Sequence, residues 1–249
     1  MGSSGVRASL RRTAALARKE MYSYCISPVF YGMGVFLLLF VNIWFFYFQR
    51  FFARDMASLH SWFAAFPLAF IIVIPAITMK SWAEERRAGT LELLLTMPFS
   101  EWNLVLGKFI AVLGVLVTFL LLTVPLPLSV LPLGDFDGGL ILGEYAGILF
   151  LGASASSLGL FFSSFSRNQA GAFLGGVVIL LTVTLINQVP QVLNLPLRLA
   201  EFINFFSLTF HFESFSRGIL DSRDMAFFVL STLLFLFLNT RALLFRKWG

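Results

Sequence analysis

Charged residues are scarce in this chain of 249 residues. Asp, Glu, Lys and Arg together make up 12% of it, and hydrophobic residues make up 58%. A soluble domain usually carries about a quarter charged residues, because polar side chains must cover its apolar core. This chain has too little polar surface for that. We therefore expect a membrane protein, in which lipid solvates most of the apolar side chains.

Residues that build metal sites and catalytic centres are also few. The single Cys25 excludes an internal disulfide and a multi-cysteine metal site, and the two histidines, His60 and His211, have no metal-ligand spacing. The sequence contains no GxxxxGK[ST], HExxH or GxSxG motif, so it lacks the usual marks of a nucleotide site, a metalloprotease or a serine hydrolase. We expect no enzyme, and no cofactor or metal site on this chain.

The long apolar runs contain almost no charged residues. Charges near the middle of a bilayer would mark an ion or proton path. Lys108 and Glu144 are the nearest to exceptions, but each lies within a turn or two of the end of an apolar run. There, contact with lipid headgroups is enough to account for them. The pattern argues against an ion-coupled transporter, an ion channel and an intramembrane protease.

Six apolar stretches are long enough, or nearly so, to cross a bilayer, which takes about 20 residues in a helix. They are residues 29–49, 61–80, 103–131, 140–164, 170–189 and 225–245. We predict an all-α, polytopic fold of six transmembrane helices, with residues 1–249 forming a single domain. The third stretch exceeds what a bilayer requires and contains Pro125 and Pro127, so we expect its outer end to be kinked or broken.

Lysine and arginine are distributed unevenly between the two sides of these spans. With the N-terminus in the cytoplasm, 13 of the 18 basic residues lie inside. The outer ones are Arg50, Arg54, Arg198, Arg217 and Arg223. Because cytoplasmic loops carry the excess of Lys and Arg, both termini are predicted to be cytoplasmic.

Residues 6–25 have the pattern of an amphipathic helix. Apolar residues recur at steps of three and four positions, at Val6, Leu10, Ala14, Ala17 and Met21. Arginines fall on another side, at Arg7, Arg11 and Arg18. Such a helix lies in the headgroup plane with its basic side toward anionic lipid. The alternative is a basic leader that only sets the topology.

Small residues are frequent in the fourth and fifth predicted spans, often four positions apart. The glycines concerned are Gly143, Gly147, Gly152, Gly171 and Gly175. Small residues at this spacing let helix backbones approach closely in lipid, where packing drives association. We predict close helix contacts at these glycines. The pattern does not distinguish contacts within the chain from contacts between subunits.

The connection between the second and third spans, SWAEERRAGTLELLLTMPFSEW (81–102), opens with four consecutive charges, Glu84 to Arg87. No proline interrupts residues 82–97, and their leucines favour a helix, which Pro98 would end. Ser100 is expected to cap the next helix, with Glu101 in its first turn.

This predicted helix, 82–97, has two kinds of surface. Leu91, Leu94 and Leu95 fall on one side, and Glu84, Glu85, Arg87 and Glu92 are left to face the cytosol. Gly89 offers a place where another backbone could come close. Exposed charges of both signs suit a groove in a protein better than lipid. The alternative is a solvated loop whose arginines only hold the topology.

The run EERRAGTLELLLTMPFSEWNLVLGKF closely resembles the loop after the second span in permeases of the type-2 ABC exporter family. The family pattern E-x-x-x-G-T-L-E-L-L-L-x-x-P is present from Glu85 to Pro98. A second run, FHFESFSRGILDSRDMAFF, resembles the segment before the last span in the gliding-motility-type subgroup. The length, the six spans and the N-terminal helix agree with this resemblance, which thus extends over the whole chain.

The resemblance implies that 82–97 is a coupling helix seated in a groove of a separate cytoplasmic ABC ATPase. ATP and Mg²⁺ would then be held by a dimer of that ATPase. The contact residues would be Glu84, Glu85, Arg86, Arg87, Gly89, Thr90, Leu91 and Glu92. An ABC ATPase dimer requires two permease subunits, so this chain would pair with itself or with a related chain, which in this subgroup often bears an extracytoplasmic domain. A bacterial inner membrane location follows from the same resemblance, with lipid and no nucleic acid as further partner.

The segment 190–224 is apolar but broken by Pro190 and Pro196. We expect short helices that enter the outer leaflet partway and return, as in the outer re-entrant helices of the type-2 family. Gly218 can end one helix, and Asp221 can cap the next. Polar residues cluster here, at His211, Glu213, Arg217, Asp221, Arg223 and Asp224. They form either an outer gate or partner contact, or a polar cap held by local ion pairs.

The leading hypothesis is therefore the permease subunit of an ATP-driven exporter, with an apolar and aromatic path that suits amphiphilic cargo. The alternative is a mechanotransmitter, in which the same ATPase-coupled fold moves no solute and acts on an extracytoplasmic partner protein. The sequence specifies neither the cargo nor the direction of transport.

Overall fold

The computed structural model describes residues 3–49, 58–92, 100–133, 136–219 and 221–248. These residues are helical almost throughout and include no strand. The helices are α1 (Ser3–Ile26), α2 (Pro28–Ile43), α3 (His60–Phe63), α4 (Phe66–Arg87), α5 (Glu101–Thr123), α6 (Pro125–Val130), α7 (Gly138–Phe165), α8 (Gln169–Leu185), α9 (Val189–Val192), α10 (Leu197–Phe205), α11 (Leu208–Ser216) and α12 (Ser222–Trp248). A π-helical turn, Trp44–Phe48, extends α2, and short 3₁₀ turns follow α6 and α8.

Within the described ranges, six helical segments are long and apolar enough to cross a membrane, which agrees with the predicted number of spans. They are Pro28–Phe48, His60–Arg87, Glu101–Val130, Gly138–Phe165, Gln169–Val192 and Ser222–Phe245. Eleven of their twelve bounds lie within three residues of the predicted ones; the exception is the second span, whose helix continues seven residues further, from 80 to Arg87.

The third span is broken where its prolines predict. The helix α5 ends at Thr123, and Pro125 begins the short helix α6. Proline lacks the backbone N–H that would continue the helical bonding, so it is favoured at the first position of a new helix. Elsewhere, Pro67 also lies in the first turn of its helix, whereas Pro75 lies inside α4.

The helix α4 lies at the centre of the bundle. In its most apolar window 78% of the residues are buried, against 22% in α2 and its π-helical extension. It packs against α2, α7 and α8, and α7 in turn packs against α11 and α12. On α2, Tyr31, Val35 and Leu39 form an exposed apolar stripe at steps of four residues. The outer helices thus present apolar faces to lipid or to another subunit.

The helix α1 packs along the first half of α5. Ser9 Oγ donates to Asn103 Oδ1 at 2.9 Å, and Leu16 fills the space above Gly107. The side buried there includes Ala17 but not Leu10, which is 64% exposed. The buried side of α1 is therefore rotated from the apolar stripe that the sequence suggested, because glycine in α5 accommodates Leu16.

The predicted packing glycines have different surroundings. A Cβ added to Gly147 would lie 2.6 Å from Phe215 Cβ, and one added to Gly152 would lie 2.4 Å from Leu116 Cδ2, so both are close contacts within the chain. Gly143 lies more loosely against the backbone of Phe215, and the nearest contact of Gly171 is the cap of its own helix. No atom lies within 4 Å of the position of a Cβ on Gly175.

The contacts define two ends of the bundle. At the α1 end, α1 meets the start of α5 and the end of α4. There the ring centre of Trp102 lies 6.2 Å from that of Phe237, in the second half of α12. At the α11 end, His60 lies beside Glu144 and α11 meets the start of α12. The N-terminal helix and the C-terminal part of α12 thus share one end.

We expect Gly147→Ala to lower the thermal unfolding midpoint of the purified protein in detergent. The new methyl group would meet Phe215 Cβ and Cγ at 2.6 and 2.7 Å, atoms too close to the backbone of α11 to rotate away. Overpacking of this kind destabilises by about 1–3 kcal/mol. Gly32→Ala, in α2, is the matched control, since no atom of the described residues lies within 4 Å of the position of its Cβ. Equal losses in both variants would contradict the close contact between α7 and α11.

Candidate functional site

The charged run Glu84–Arg87 forms the last turn of α4. Ala88 N–H donates to Glu84 O at 2.9 Å, Gly89 N–H donates to Arg86 O at 3.2 Å, and Gly89 has φ of +69°. This is the left-handed conformation in which glycine ends a helix. A new helical segment starts at Thr90. The expected single helix 82–97 is therefore divided at Gly89 as far as the structure describes it; residues 93–97, with Leu94 and Leu95, lie outside the described residues.

Gly89 ends a helix, whereas the sequence suggested that it lets another backbone come close. Among the described residues, no atom lies within 4 Å of the position that its Cβ would occupy, so none of their backbones approaches it there. Its positive φ is what ends α4 and turns the chain. A turn with open space around it is accessible to a second protein.

The turn exposes a compact set of side chains. Glu84, Arg87, Ala88, Gly89, Thr90 and Glu92 are all exposed. Leu91, in contrast, is 8% exposed and belongs to the core. Thr90 Oγ1 donates to Glu85 O at 3.2 Å, which holds the new segment against the end of α4. We call these six exposed residues the turn surface.

Glu85 does not belong to the turn surface, although the sequence placed it facing the cytosol. Lys108 Nζ of α5 donates to Glu85 Oε1 at 2.8 Å and lies 3.4 Å from Glu20 Oε1 of α1. The ammonium also lies 4.9 Å from the centre of the Trp82 ring, within reach of a cation–π contact. The side chain of Lys108 is 2% exposed, so it does not extend to the headgroups as expected.

Arg86 is likewise engaged within the chain. One of its guanidinium nitrogens, Nη1, donates to the carbonyl oxygens of Phe165 and Ser166 at 2.8 and 2.9 Å, at the end of α7. One turn earlier in α4, Trp82 N–H donates to Ser163 Oγ of α7 at 3.3 Å. Adjacent residues of the charged run thus bind in opposite directions, Glu85 toward α5 and α1, Arg86 toward α7.

The helix α5 starts immediately beyond the undescribed residues 93–99. Ser100 caps it, as predicted, because its Oγ accepts from Asn103 N–H at 3.3 Å. Tyr24 of α1 forms a hydrogen bond with α4, because its hydroxyl lies 2.8 Å from Ser81 Oγ. Burial raises the pKa of the Tyr24 phenol, so this hydroxyl stays protonated. The turn surface is therefore carried by helices α1, α4, α5 and α7 held together by polar contacts.

At the α11 end, the structure divides the six polar residues that the sequence grouped. His211 is buried, with Nδ1 at 2.6 Å from Asp224 Oδ1 and Nε2 at 3.0 Å from Phe205 O, and its ring stacks on Phe227 at 3.8 Å. This pair joins α11 to α12. Gly218 has φ of +73° and follows the end of α11.

The other polar residues of this end lie near the surface. Asp221 caps α12, accepting from Arg223 N–H at 2.9 Å, and Arg223 is exposed. Arg217 and Glu213 form an exposed pair at 3.6 Å. A pair of this kind contributes little to stability.

Sequence reasoning missed a further buried group at this end. Glu144 is 0% exposed, and its Oε1 lies 3.5 Å from Nδ1 of the half-exposed His60. Neither Glu144 oxygen accepts a hydrogen bond from the described part of the chain. The expectation of a headgroup contact is therefore wrong for Glu144, which faces α3. The sequence does show a single acidic residue, Glu144, among small residues of a helix. It does not show the neighbour, because His60 lies 84 residues earlier in the chain.

In the described part of the chain, no three His, Cys, Asp or Glu side chains come together in a way that could hold a metal ion. The geometry gives instead a rigidly mounted, exposed turn of mixed charge at one end, and a buried His–Asp contact at the other.

Comparison with known proteins finds one protein family that matches most of the chain. A family model described as "ABC-2 family transporter protein" matches residues 14–247. Two curated relatives, each called "Probable multidrug ABC transporter permease YbhR", come from Escherichia coli K12 and O157:H7, and each is 30% identical over 142 residues. The match covers 55% of this chain and 38% of each relative. This chain therefore aligns with well under half of their length.

We expect Lys108→Met to lower the thermal unfolding midpoint strongly. It would leave the carboxylates of Glu85 and Glu20, 15% and 13% exposed, without their shared cation. Breaking a buried ion pair costs about 3–5 kcal/mol. Adding Glu85→Gln to this variant should restore part of the loss. Arg217→Ala, in the exposed pair, is the control and should cost about 1 kcal/mol or less; an equal loss there would contradict the importance of the Lys108 contacts.

Proposed function

This chain belongs to the ABC-2 family of transporter proteins, and we propose that it is a permease subunit through which a separate ATPase drives export across the membrane. The observation that carries the proposal is the turn surface at the end of α4. It is exposed, of mixed charge, and attached to four helices by buried or half-buried polar contacts. Those are the properties that a site of force transfer requires.

The anchors explain how a push on the turn would reach the spans. A displacement of α4 at Arg87 would act on α5 through Glu85 and Lys108, and on α7 through Arg86. Charged hydrogen bonds of this length are stronger and more directional than neutral ones. The three helices would therefore move as a unit, whereas a loosely attached loop would absorb the motion.

The nucleotide chemistry is assigned to the partner. ATP and Mg²⁺ would be bound by the ATPase dimer, and Glu84, Arg87, Thr90 and Glu92 would contact its groove. Glu85 and Arg86, which the resemblance included among the contacts, act in this proposal as anchors. Leu91 is also an anchor, because it is buried against the bundle.

An ATPase dimer requires a second permease subunit, which we propose to be a second copy or a related chain, with or without an extracytoplasmic domain. Open apolar surface suits such a contact. Gly175 has free space above it, and Leu174 and Val178 of the same helix are 62% and 63% exposed. Helices associate in lipid through small residues of this kind.

The segment between α8 and α12 suits the predicted outer, re-entrant position. Its helix α10 has no buried residue, and Leu197 and Phe202 are 75% and 65% exposed. Such a helix needs lipid or protein to cover it. The His211–Asp224 contact would hold α11 against α12 as a gate, and the exposed Glu213, Arg217 and Arg223 would be free to meet an extracytoplasmic partner.

The location and the subgroup are part of the proposal. The even number of spans and the excess of Lys and Arg support cytoplasmic termini. The resemblance to the type-2 family supports an interfacial α1 and a bacterial inner membrane. The gliding-motility-type subgroup is supported by the resemblance of residues 210–228, which extend from within α11 into the first turns of α12. Amphiphilic cargo suits spans that carry few charges, and the curated relatives are named as multidrug permeases.

Co-expression with the ABC ATPase encoded beside the gene tests the proposal. The ATPase should co-purify with the tagged chain, and Arg87→Glu should weaken the complex about tenfold, since a reversed charge in an interface costs more than 1 kcal/mol. Arg86→Ala should leave the ATPase bound but lower the ATP hydrolysis that cargo stimulates. Arg217→Glu, 70% exposed at the α11 end, is the control and should bind normally.

Two results would oppose this assignment. One is the absence of any ATPase binding in mild detergents and in nanodiscs. The other is equal binding by the Arg87→Glu variant and the wild type. Either result would favour the alternative in which the arginines of the turn only set the topology. The function would then have to be sought in the outer segment 190–224.

A transport assay separates export from the mechanotransmitter alternative. In proteoliposomes holding the whole complex, we expect ATP-dependent movement of a fluorescent phospholipid or amphiphilic drug, abolished by the uncoupled Arg86→Ala variant. ATP hydrolysis that rises when a purified extracytoplasmic partner is added, with no movement of any amphiphile, would favour the mechanotransmitter.

A further inference from the structure

A cavity of about 330 Å³ lies at the α1 end, between α1, the start of α2, the end of α4 and α5. Six charged side chains line it: Lys19, Lys80, Lys108, Glu20, Glu84 and Glu85. Hydroxyl groups of serine and tyrosine complete much of the remaining lining. The lining of the cavity therefore contains cations, anions and neutral hydrogen-bonding groups, and its three lysines and three glutamates leave no net formal charge.

The cavity lies at the boundary between the polar and the apolar parts of the bundle. Pro28, in its wall, is the first residue of the first span, and Lys80 lies two turns before the end of the second. Lys108 lies two turns after the start of the third. In a six-span protein, these positions lie at the level of the phospholipid headgroups on one side of the membrane.

The contacts within the cavity leave one cation and one carboxylate oxygen in excess. Lys108 serves Glu85 Oε1 and Glu20, and Lys19 lies 3.8 Å from Glu20. Lys80 Nζ donates to Ser27 Oγ, and no carboxylate of the described residues lies within 4.0 Å of it. Glu85 Oε2 is buried and accepts no hydrogen bond from any residue that the structure describes. Buried acceptors without a donor are costly and rare in native structures.

We propose that this cavity binds the headgroup of a phospholipid that carries both a phosphate and a primary ammonium, as in phosphatidylethanolamine. The phosphate would lie against Lys80 and the hydroxyl of Ser27. The ammonium would donate to Glu85 Oε2 and to the exposed carboxylate of Glu84. Both excess groups would thereby gain a partner of opposite charge.

Other headgroups fit less well. A choline headgroup has no N–H to donate to Glu85 Oε2, and a glycerol headgroup brings a negative charge toward the carboxylates without a compensating cation. The apolar part of a lipid has a surface to follow as well. A second, open cavity of about 670 Å³ shares Lys19 and continues along α1 past Tyr22 and Cys25, and Ile26 beside it is 63% exposed.

Native mass spectrometry of the full chain in detergent tests the proposal without any ATPase. Phosphatidylethanolamine, phosphatidylcholine and phosphatidylglycerol with identical acyl chains are titrated separately. We expect the ethanolamine lipid to bind about tenfold more tightly than the other two, because a hydrogen bond to a charged group contributes about 1.5–3 kcal/mol.

Variants test Lys80, which would hold the phosphate, and Glu84, one of the two carboxylates that would hold the ammonium. Lys80→Gln and Glu84→Gln should each remove most of the preference for the ethanolamine lipid, and Lys80→Arg should retain it. Arg11→Gln, on the exposed side of α1 and outside the cavity, is the control and should bind as the wild type does. Thermal unfolding of each variant checks that it is folded, and Glu84 is exposed enough to be replaced without disturbing the core.

Equal binding of the three lipids would overturn the proposal, as would an undiminished preference in both Lys80→Gln and Glu84→Gln. Displacement of the lipid by an equal concentration of soluble O-phosphoethanolamine would show that the ligand is a free metabolite, and would overturn the assignment to a lipid. Failure of the chain to bind an ATPase would leave this result untouched, since no ATPase is present in the measurement.

Discussion

The arrangement of the α1 end depends on one buried cation, Lys108. Taking an ammonium out of water costs several kcal/mol, and only well-placed partners offset this cost. Glu85 from α4 and Glu20 from α1 supply carboxylates, and the Trp82 ring supplies a polarisable face. Each partner comes from outside α5. The need of the Lys108 ammonium for these partners thus fixes the relative positions of α1, α4 and α5. Apolar packing alone would allow the helices to slide along one another.

Features with a local cause could be predicted from the sequence. The six spans follow from the length of the apolar runs, and the break after Thr123 follows from the fixed backbone angle of Pro125. The caps at Ser100 and Asp221 depend on a side chain reaching an amide two or three residues away. In each case the interacting groups are neighbours along the chain, so their spacing is visible in the sequence.

Features that join distant residues could not be predicted in this way. Glu85 and Lys108 are separated by 23 residues and Arg86 and Phe165 by 79, and nothing in the local pattern pairs them. The side of α1 that is buried was misjudged for the same reason, since Gly107 in α5 selects Leu16. The helix end at Gly89 has a local cause, since a glycine after a charged turn often ends a helix. The prediction of one continuous helix over 82–97 gave more weight to the leucines that follow this glycine.

The two oxygens of Glu85 have different surroundings. One oxygen fixes α4 to α5 through Lys108, and the other is buried with no hydrogen-bond partner among the described residues, in a side chain that lines the cavity between α1 and α4. A ligand that donates to the second oxygen would add to the constraint on the same carboxylate, because its two oxygens cannot move independently. The last turn of α4 would then be stiffer with the cavity filled. Any force applied at Arg87 would reach α5 and α7 with less loss, which makes the headgroup level of the membrane a natural place to adjust coupling.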